Sequence, residues 1–128
     1  MRDAGCTAFM DIHPVNAGHV LIVPDDHATS LADLPGDAGA QLFRTAQKIA
    51  AALYYSGLGC EGVNLFLADG EAAGQEVFHV HLHVIPRFEG DGFGLTFGPD
   101  YANRPDREEL EKAAKRIRGA LGPDQEPL

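Results

Sequence analysis

The stretch Val77-Phe78-His79-Val80-His81-Leu82-His83-Val84-Ile85 alternates apolar and imidazole side chains. A period of two is the pattern of a strand with one buried face. It predicts a strand from about Glu76 to Pro86. Phe78, Val80, Leu82 and Val84 then face the core, and His79, His81 and His83 line the other face about 6.7 Å apart. Half of the six histidines fall in this one row. Three readings suit it. The first is a plain polar face turned to solvent. The second is a metal site, since His-x-His is a common ligand pair. Three such positions span ~13 Å, however, so one ion at ~2.1 Å from its ligands needs help from elsewhere in the chain. The third is nucleophilic catalysis at phosphorus: a neutral imidazole attacks, while neighbouring imidazoles donate to phosphate oxygens.

The residues just upstream favour the third reading. Gly70-Glu71-Ala72-Ala73-Gly74-Gln75 is a small, glycine-bearing loop. Glycines let backbone N–H groups approach an anion closely, and Gln75 adds an amide able to hold phosphate.

Further upstream, Cys6 to Asp11 and His19-Val20-Leu21-Ile22-Val23 read as two strands joined by the turn His13–Gly18, a hairpin stopped by Pro24. Pro35-Gly36-Asp37 opens a helix. Leu42, Phe43, Ala46, Ile49, Ala50 and Leu53 give it one apolar face, and Gly57 and Gly59 end it. Gly62 to Ala68 is a further strand, and a short one is possible at Phe93 to Phe97. Asp106 and Glu109 are spaced as a capping box. The helix they start buries a stripe of Leu110, Ala114, Ile117 and Leu121 and stops at Gly122-Pro123. This order predicts an α+β fold with an antiparallel sheet, one long helix and a C-terminal helix.

Composition bounds the partners. The 128 residues carry 10 Lys+Arg against 19 Asp+Glu, a formal net charge of −9, and 45% are hydrophobic. That length and apolar content suit a single domain, with a core at about 6–90 and an extension bearing the helix at about 106–121. Residues 1–103 hold 4 basic and 13 acidic residues; residues 104–128 hold 6 of each. The acid excess excludes coating of nucleic acid by bulk charge, so an anionic substrate must be gripped locally. Cys6 and Cys60 form no CxxC and read as two reduced thiols. The longest apolar run, Ile49–Tyr55, falls far short of the ~20 residues needed to span a bilayer. The expectation is a cytoplasmic protein with no membrane partner.

The histidine row followed by Pro86-Arg87 resembles the signature of the histidine triad (HIT) superfamily of nucleotide hydrolases and transferases. The resemblance extends to Phe9-Met10-Asp11-Ile12, to Gly18 through Pro24 with His27, to Gly62-Val63-Asn64-Leu65 and to Gly74-Gln75-Glu76-Val77-Phe78, covering about residues 6–90. It implies a homodimer, with contact through the helix around residues 37–56 and its sheet neighbour. It also implies a small-molecule nucleotide substrate, with adenine as the base. His81 would attack the α-phosphorus and form a nucleotidyl-histidine, which water resolves to a nucleoside monophosphate. His83 would donate to a phosphate oxygen, and His79 would orient the nucleophile through its carbonyl. Gln75, with backbone from Gly74 through Glu76 to Val77, would hold the phosphate. Asp11 falls where the family binds ribose hydroxyls, although a turn-starting role competes for it. Phe9, Ile12 and Ile22 would form the base slot, His19 would support the triad, and Asn64 would complete the nucleotide site.

Two departures from the family pattern matter. Ala68 stands where relatives place an Asn or Gln that touches phosphate. A missing charge-assisted hydrogen bond costs about 1.5–3 kcal/mol, which leaves open a nucleotide-binding protein with little turnover. The Cys pair that binds structural zinc in many relatives is also absent, although the matching His27 and His79 remain. No metal or other cofactor is expected.

Overall fold

The computed structural model describes residues 1–123. They comprise β1 (Arg2–Asp3), β2 (Cys6–Met10), β3 (Val20–Pro24), α1 (Gly36–Tyr55), β4 (Gly62–Phe66), β5 (Leu82–Arg87) and α2 (Arg107–Leu121). The strands form one antiparallel sheet in the order β1-β2-β3-β5-β4. The fold is α+β, as the order of sequence patterns predicts. The chain forms two compact units, Met1–Phe93 and the segment from Gly94 onward. No helix among the described residues is long and apolar enough to cross a membrane.

The first unit owes its core to strand alternation. Cys6 and Ala8 of β2, Ile22 and Pro24 of β3, and Leu82 and Val84 of β5 are all buried. They pack with Leu42, Ala46 and Leu53 of α1. The helix face is narrower than its periodicity suggests, because Phe43 is 58% exposed. A polar strap fastens α1 to β1: Thr45 Oγ1 donates to Asp3 Oδ2 at 3.1 Å and Lys48 Nζ to the same carboxylate at 2.8 Å. The Lys48 ammonium, foremost, holds the Asp3 carboxyl below its ordinary value. Gly18, which closes the β2–β3 turn at φ +95°, has Leu58 Cδ1 only 2.8 Å from where a Cβ would stand. The positive φ penalises any side chain there, and a Cβ would also have to push Leu58 aside.

β5 is shorter than its alternation predicts, covering Leu82–Arg87 rather than 76–86. Its ladder to β3 runs only through Val20↔Val84, Leu21↔His83 and Ile22↔Leu82. Beyond that point β3 reaches Pro24, which has no N–H to extend a ladder. The Val80 amide instead donates to Ala28 O at 2.8 Å. So His79 lies in a bend and His81 on the irregular approach to β5, and only His83 stands on the strand. Val80 is buried as expected, but Phe78 is exposed. Similarly, β4 stops at Phe66 rather than Ala68.

The second unit holds α2, whose N-terminus carries the full capping box. Asp106 Oδ1 accepts from the Glu109 N–H at 2.8 Å, and Glu109 Oε2 accepts from the Asp106 N–H at 3.1 Å. Such caps contribute about 1 kcal/mol. The expected buried stripe is not buried: Leu110, Ile117 and Leu121 are exposed and Ala114 is half-buried. An apolar stripe shows which face of a helix can be covered, not that something covers it. No strand forms at 93–97; Phe97 stacks on Tyr101 with ring centroids 3.9 Å apart.

Candidate active site

One row of paired residues crosses four strands on the sheet face opposite α1: Phe9 on β2, Leu21 on β3, His83 on β5 and Phe66 on β4. Directly opposed residues share a face. The row therefore sets an imidazole among three large apolar side chains, with the Phe66 and His83 rings 5.8 Å apart.

Hydrogen bonds fix which nitrogen of each ring carries a proton. The Val15 amide, which can only donate, lies 3.1 Å from His19 Nδ1, so that nitrogen accepts. In the neutral His19 ring the proton is then on Nε2, which donates to His83 Nδ1 at 2.9 Å. The neutral His83 ring thus carries its own proton on Nε2. Burial, foremost, holds His19 below its ordinary value. Burial, reinforced by the His81 and His19 imidazoles, pushes His83 down to about 4. Separately, His81 Nδ1 donates to the His79 carbonyl at 2.8 Å, which leaves the Nε2 lone pair of a neutral His81 unengaged by that bond. His79 turns its own Nε2 to Pro24 O at 3.1 Å and stacks obliquely on His27.

The depressed His83 pKa makes a stability prediction. As pH falls below the ordinary value of 6.5, the unfolded chain takes up this proton before the folded one does, until about 4. The contribution of neutral His83 is therefore complete above 6.5 and is lost as pH falls from 6.5 to about 4. The melting temperature should drop across that window, and less steeply in His83→Asn. Equal slopes for the two proteins would refute this.

Two clefts meet at His81 and Val77. One, of about 410 Å³, is walled by Phe9, Leu21, Val23 and His79 and is almost wholly apolar. The other, of about 330 Å³, is lined by His19, His83, Phe66, Gly74, Glu76 and Phe93 among others.

Several expected site residues are placed differently. Ile22 is 0% exposed on the α1 side of the sheet, so it cannot line a base slot. Its neighbours Leu21 and Val23 do so instead, because strand alternation puts them on the opposite face. Ile12 is 87% exposed and lines neither cleft. Asn64 lies near the end of the sheet, where its Oδ1 accepts from Arg87. Asp11 combines two roles. Its Oδ1 accepts from the His13 amide at 2.8 Å, the turn-starting bond, and its Oδ2 lies 3.7 Å from His19 Nε2.

Gln75 is the largest revision. It is 5% exposed and its amide is spent on the protein. Oε1 accepts from Gly70 N at 2.8 Å, while Nε2 donates to Thr29 O at 2.8 Å and Val77 O at 3.2 Å. The Ala73 and Gly74 amides close a short 3-10 turn at Glu71–Ala73, and the Gln75 amide bonds to Gly70 O. These N–H groups serve the turn rather than an anion. Gly74, at φ +90°, gives the turn its left-handed exit toward Glu76.

Asp11, His19 and His83 offer three ligand atoms within 4.8 Å of one another, a group compact enough for a metal ion. The donor chemistry fits a divalent cation such as zinc. The head-on 2.9 Å separation of His19 and His83 is nevertheless that of a hydrogen bond. Two imidazoles on one tetrahedral ion would stand about 3.4 Å apart. The three triad rings themselves do not converge on a point.

A brace at the second cleft carries no signal in the sequence. Arg87 pairs with Asp91 through two bonds, Nε to Oδ2 at 2.7 Å and a terminal nitrogen to Oδ1 at 2.8 Å. Asn16 Nδ2 donates to the same carboxylate at 2.8 Å and to Pro86 O at 2.9 Å. The Arg87 guanidinium holds the Asp91 carboxyl far below the usual carboxylate range. It also lies 4.9 Å above the Phe93 ring and donates to the Phe93 carbonyl.

The chain belongs to the HIT domain family, which it matches over residues 1–90. It is 38% identical over 118 residues to an uncharacterized HIT-like protein of Methanocaldococcus jannaschii, covering 92% of this chain and 86% of that one. It is 33% identical over 111 residues to the adenosine 5'-monophosphoramidase of Schizosaccharomyces pombe, covering 86% and 77%. A crystal structure of a HIT family protein from Bacillus anthracis superposes with a TM-score of 0.83 at 36% identity, covering 95% and 86%.

Proposed function

We propose that the protein is a HIT-type nucleotide hydrolase that works through a nucleotidyl-histidine. The supporting observation is the His81 ring, tied by Nδ1 to the His79 carbonyl and lining both clefts. The lone pair of Nε2 forms the N–P bond at the α-phosphorus. The P–O or P–N bond to the leaving group breaks, and its electron pair departs with that oxygen or nitrogen. A departing amine takes a proton from solvent. Water then attacks phosphorus, the P–N bond to His81 breaks, the pair returns to the ring, and water's spare proton goes to solvent. His83, neutral and protonated on Nε2, donates to a phosphate oxygen throughout. Asp11 Oδ2 accepts from a ribose hydroxyl, and Phe9, Leu21 and Val23 hold an adenine base.

Dinucleoside polyphosphates and nucleoside phosphoramidates are the substrate classes. The name of the fission yeast relative supports the second. We take the working form as a cytoplasmic homodimer joined through α1 and the neighbouring sheet edge, where Phe43, Tyr54, Tyr55 and Leu65 are exposed.

One observation favours a second reading, a nucleotide-binding protein with little turnover. Ala68 is buried and offers no donor, and the Gln75 amide is engaged elsewhere. Single-turnover mixing with an α-labelled adenosine phosphoramidate separates the two. Transient label on the protein, acid-labile and chased into AMP, is expected. AMP binding without any protein label would leave the second reading standing.

A further inference from the structure

The second cleft has a charge that neither proposed substrate class explains on its own. Glu76 is exposed on its wall beside Gly74 and Val77. Among the described residues lining either cleft there is no lysine or arginine. The Arg87 guanidinium, stacked on Phe93, is already engaged by Asp91 through Nε and one terminal nitrogen and by Asn64 through the other. The apolar cleft suits the base, so the second cleft receives whatever leaves. A polyphosphate leaving group would enter it carrying several negative charges and would meet a carboxylate with no cation to offset it. The wider field is no help, since residues 1–103 carry 4 basic and 13 acidic groups. An amine with an alkyl stem fits better. Phe66 and Phe93 supply apolar ring surface for the stem, and Glu76 supplies a counter-charge for the ammonium.

We infer that Glu76 selects the leaving group by charge, favouring nucleoside phosphoramidates whose departing amine bears a second, ammonium group over those with neutral or anionic tails and over dinucleoside polyphosphates. This rests on the hydrolase reading above. Because Glu76 is exposed, one charge step is expected to change the rate up to about fivefold at low salt, and less as salt is raised.

The test uses the full chain and three adenosine phosphoramidates with the same linker, ending in ammonium, hydroxyl or carboxylate. The kcat/KM order should be ammonium, hydroxyl, carboxylate. Glu76→Gln should bring the three within about twofold, and Glu76→Lys should reverse the order. Equal values in the wild type, or an order that survives Glu76→Gln, would overturn the inference. The same three compounds titrated into His81→Ala read charge preference without chemistry. Tightest binding of the ammonium compound supports the inference even if the wild type turns nothing over, a result that would defeat only the hydrolase reading. Equal affinities defeat the charge preference even if turnover is brisk.

Discussion

His81→Ala should lower hydrolysis of an adenosine phosphoramidate by about 10⁴-fold or more while leaving AMP affinity within a few fold. The asymmetry follows from where His81 sits. The apolar cleft keeps Phe9, Leu21 and Val23 when the ring is truncated, so the base retains its wall. In the proposed mechanism the His83 Nε2–H remains available as the phosphate donor. What disappears is the nitrogen whose partner ring atom is tied to the His79 carbonyl at 2.8 Å. No neighbour replaces it. His79 Nε2 is committed to Pro24 O, and His83 Nδ1 accepts from His19 Nε2. Initial rates, together with AMP titration, check both halves. Turnover within tenfold of wild type would mean that another group attacks phosphorus. Lost AMP binding would mean that the ring serves binding rather than chemistry.

Gln75→Ala should destabilise the fold by about 2–4 kcal/mol and reduce kcat/KM as a consequence. Truncation removes three hydrogen bonds at once, because the buried Gln75 amide is the shared partner of Gly70 N, Thr29 O and Val77 O. They belong to three separate segments, so the approach from Glu76 to His81 loses its anchor to the rest of the unit. Denaturant unfolding should show the loss of stability, and exchange of the Gly70 amide should accelerate. A variant with unchanged stability that fails only in nucleotide affinity would return Gln75 to the phosphate-holding role its sequence position suggests.

The two histidine-bearing segments were not equally legible. Alternation correctly buries Val80, Leu82 and Val84 because each polar neighbour marks the phase. The run Val20-Leu21-Ile22-Val23 has no polar marker, so its phase comes only from pairing Leu21 with His83. The family resemblance puts Ile22 in the slot, and nothing in the run itself corrects it to Leu21. The capping box at Asp106 and Glu109 is local and could be read directly. Gln75 could not, since its partner Thr29 lies 46 residues away. Arg87 and Asp91 are only four residues apart, but nothing in that spacing tells a brace from two surface charges. The two-residue β1 is too short to carry any periodicity.

The amide of Val15 belongs to none of the histidines, yet it gives the line of rings a direction. With His19 Nδ1 obliged to accept, every proton downstream points the same way, and the line ends in a hydrogen turned toward the cleft. The polarity of the site is thus written in the main chain of a turn and relayed by side chains that could otherwise face either way. All six histidines could be preserved in a relative whose turn was rebuilt, and its His83 would then present a lone pair where a phosphate oxygen needs a donor.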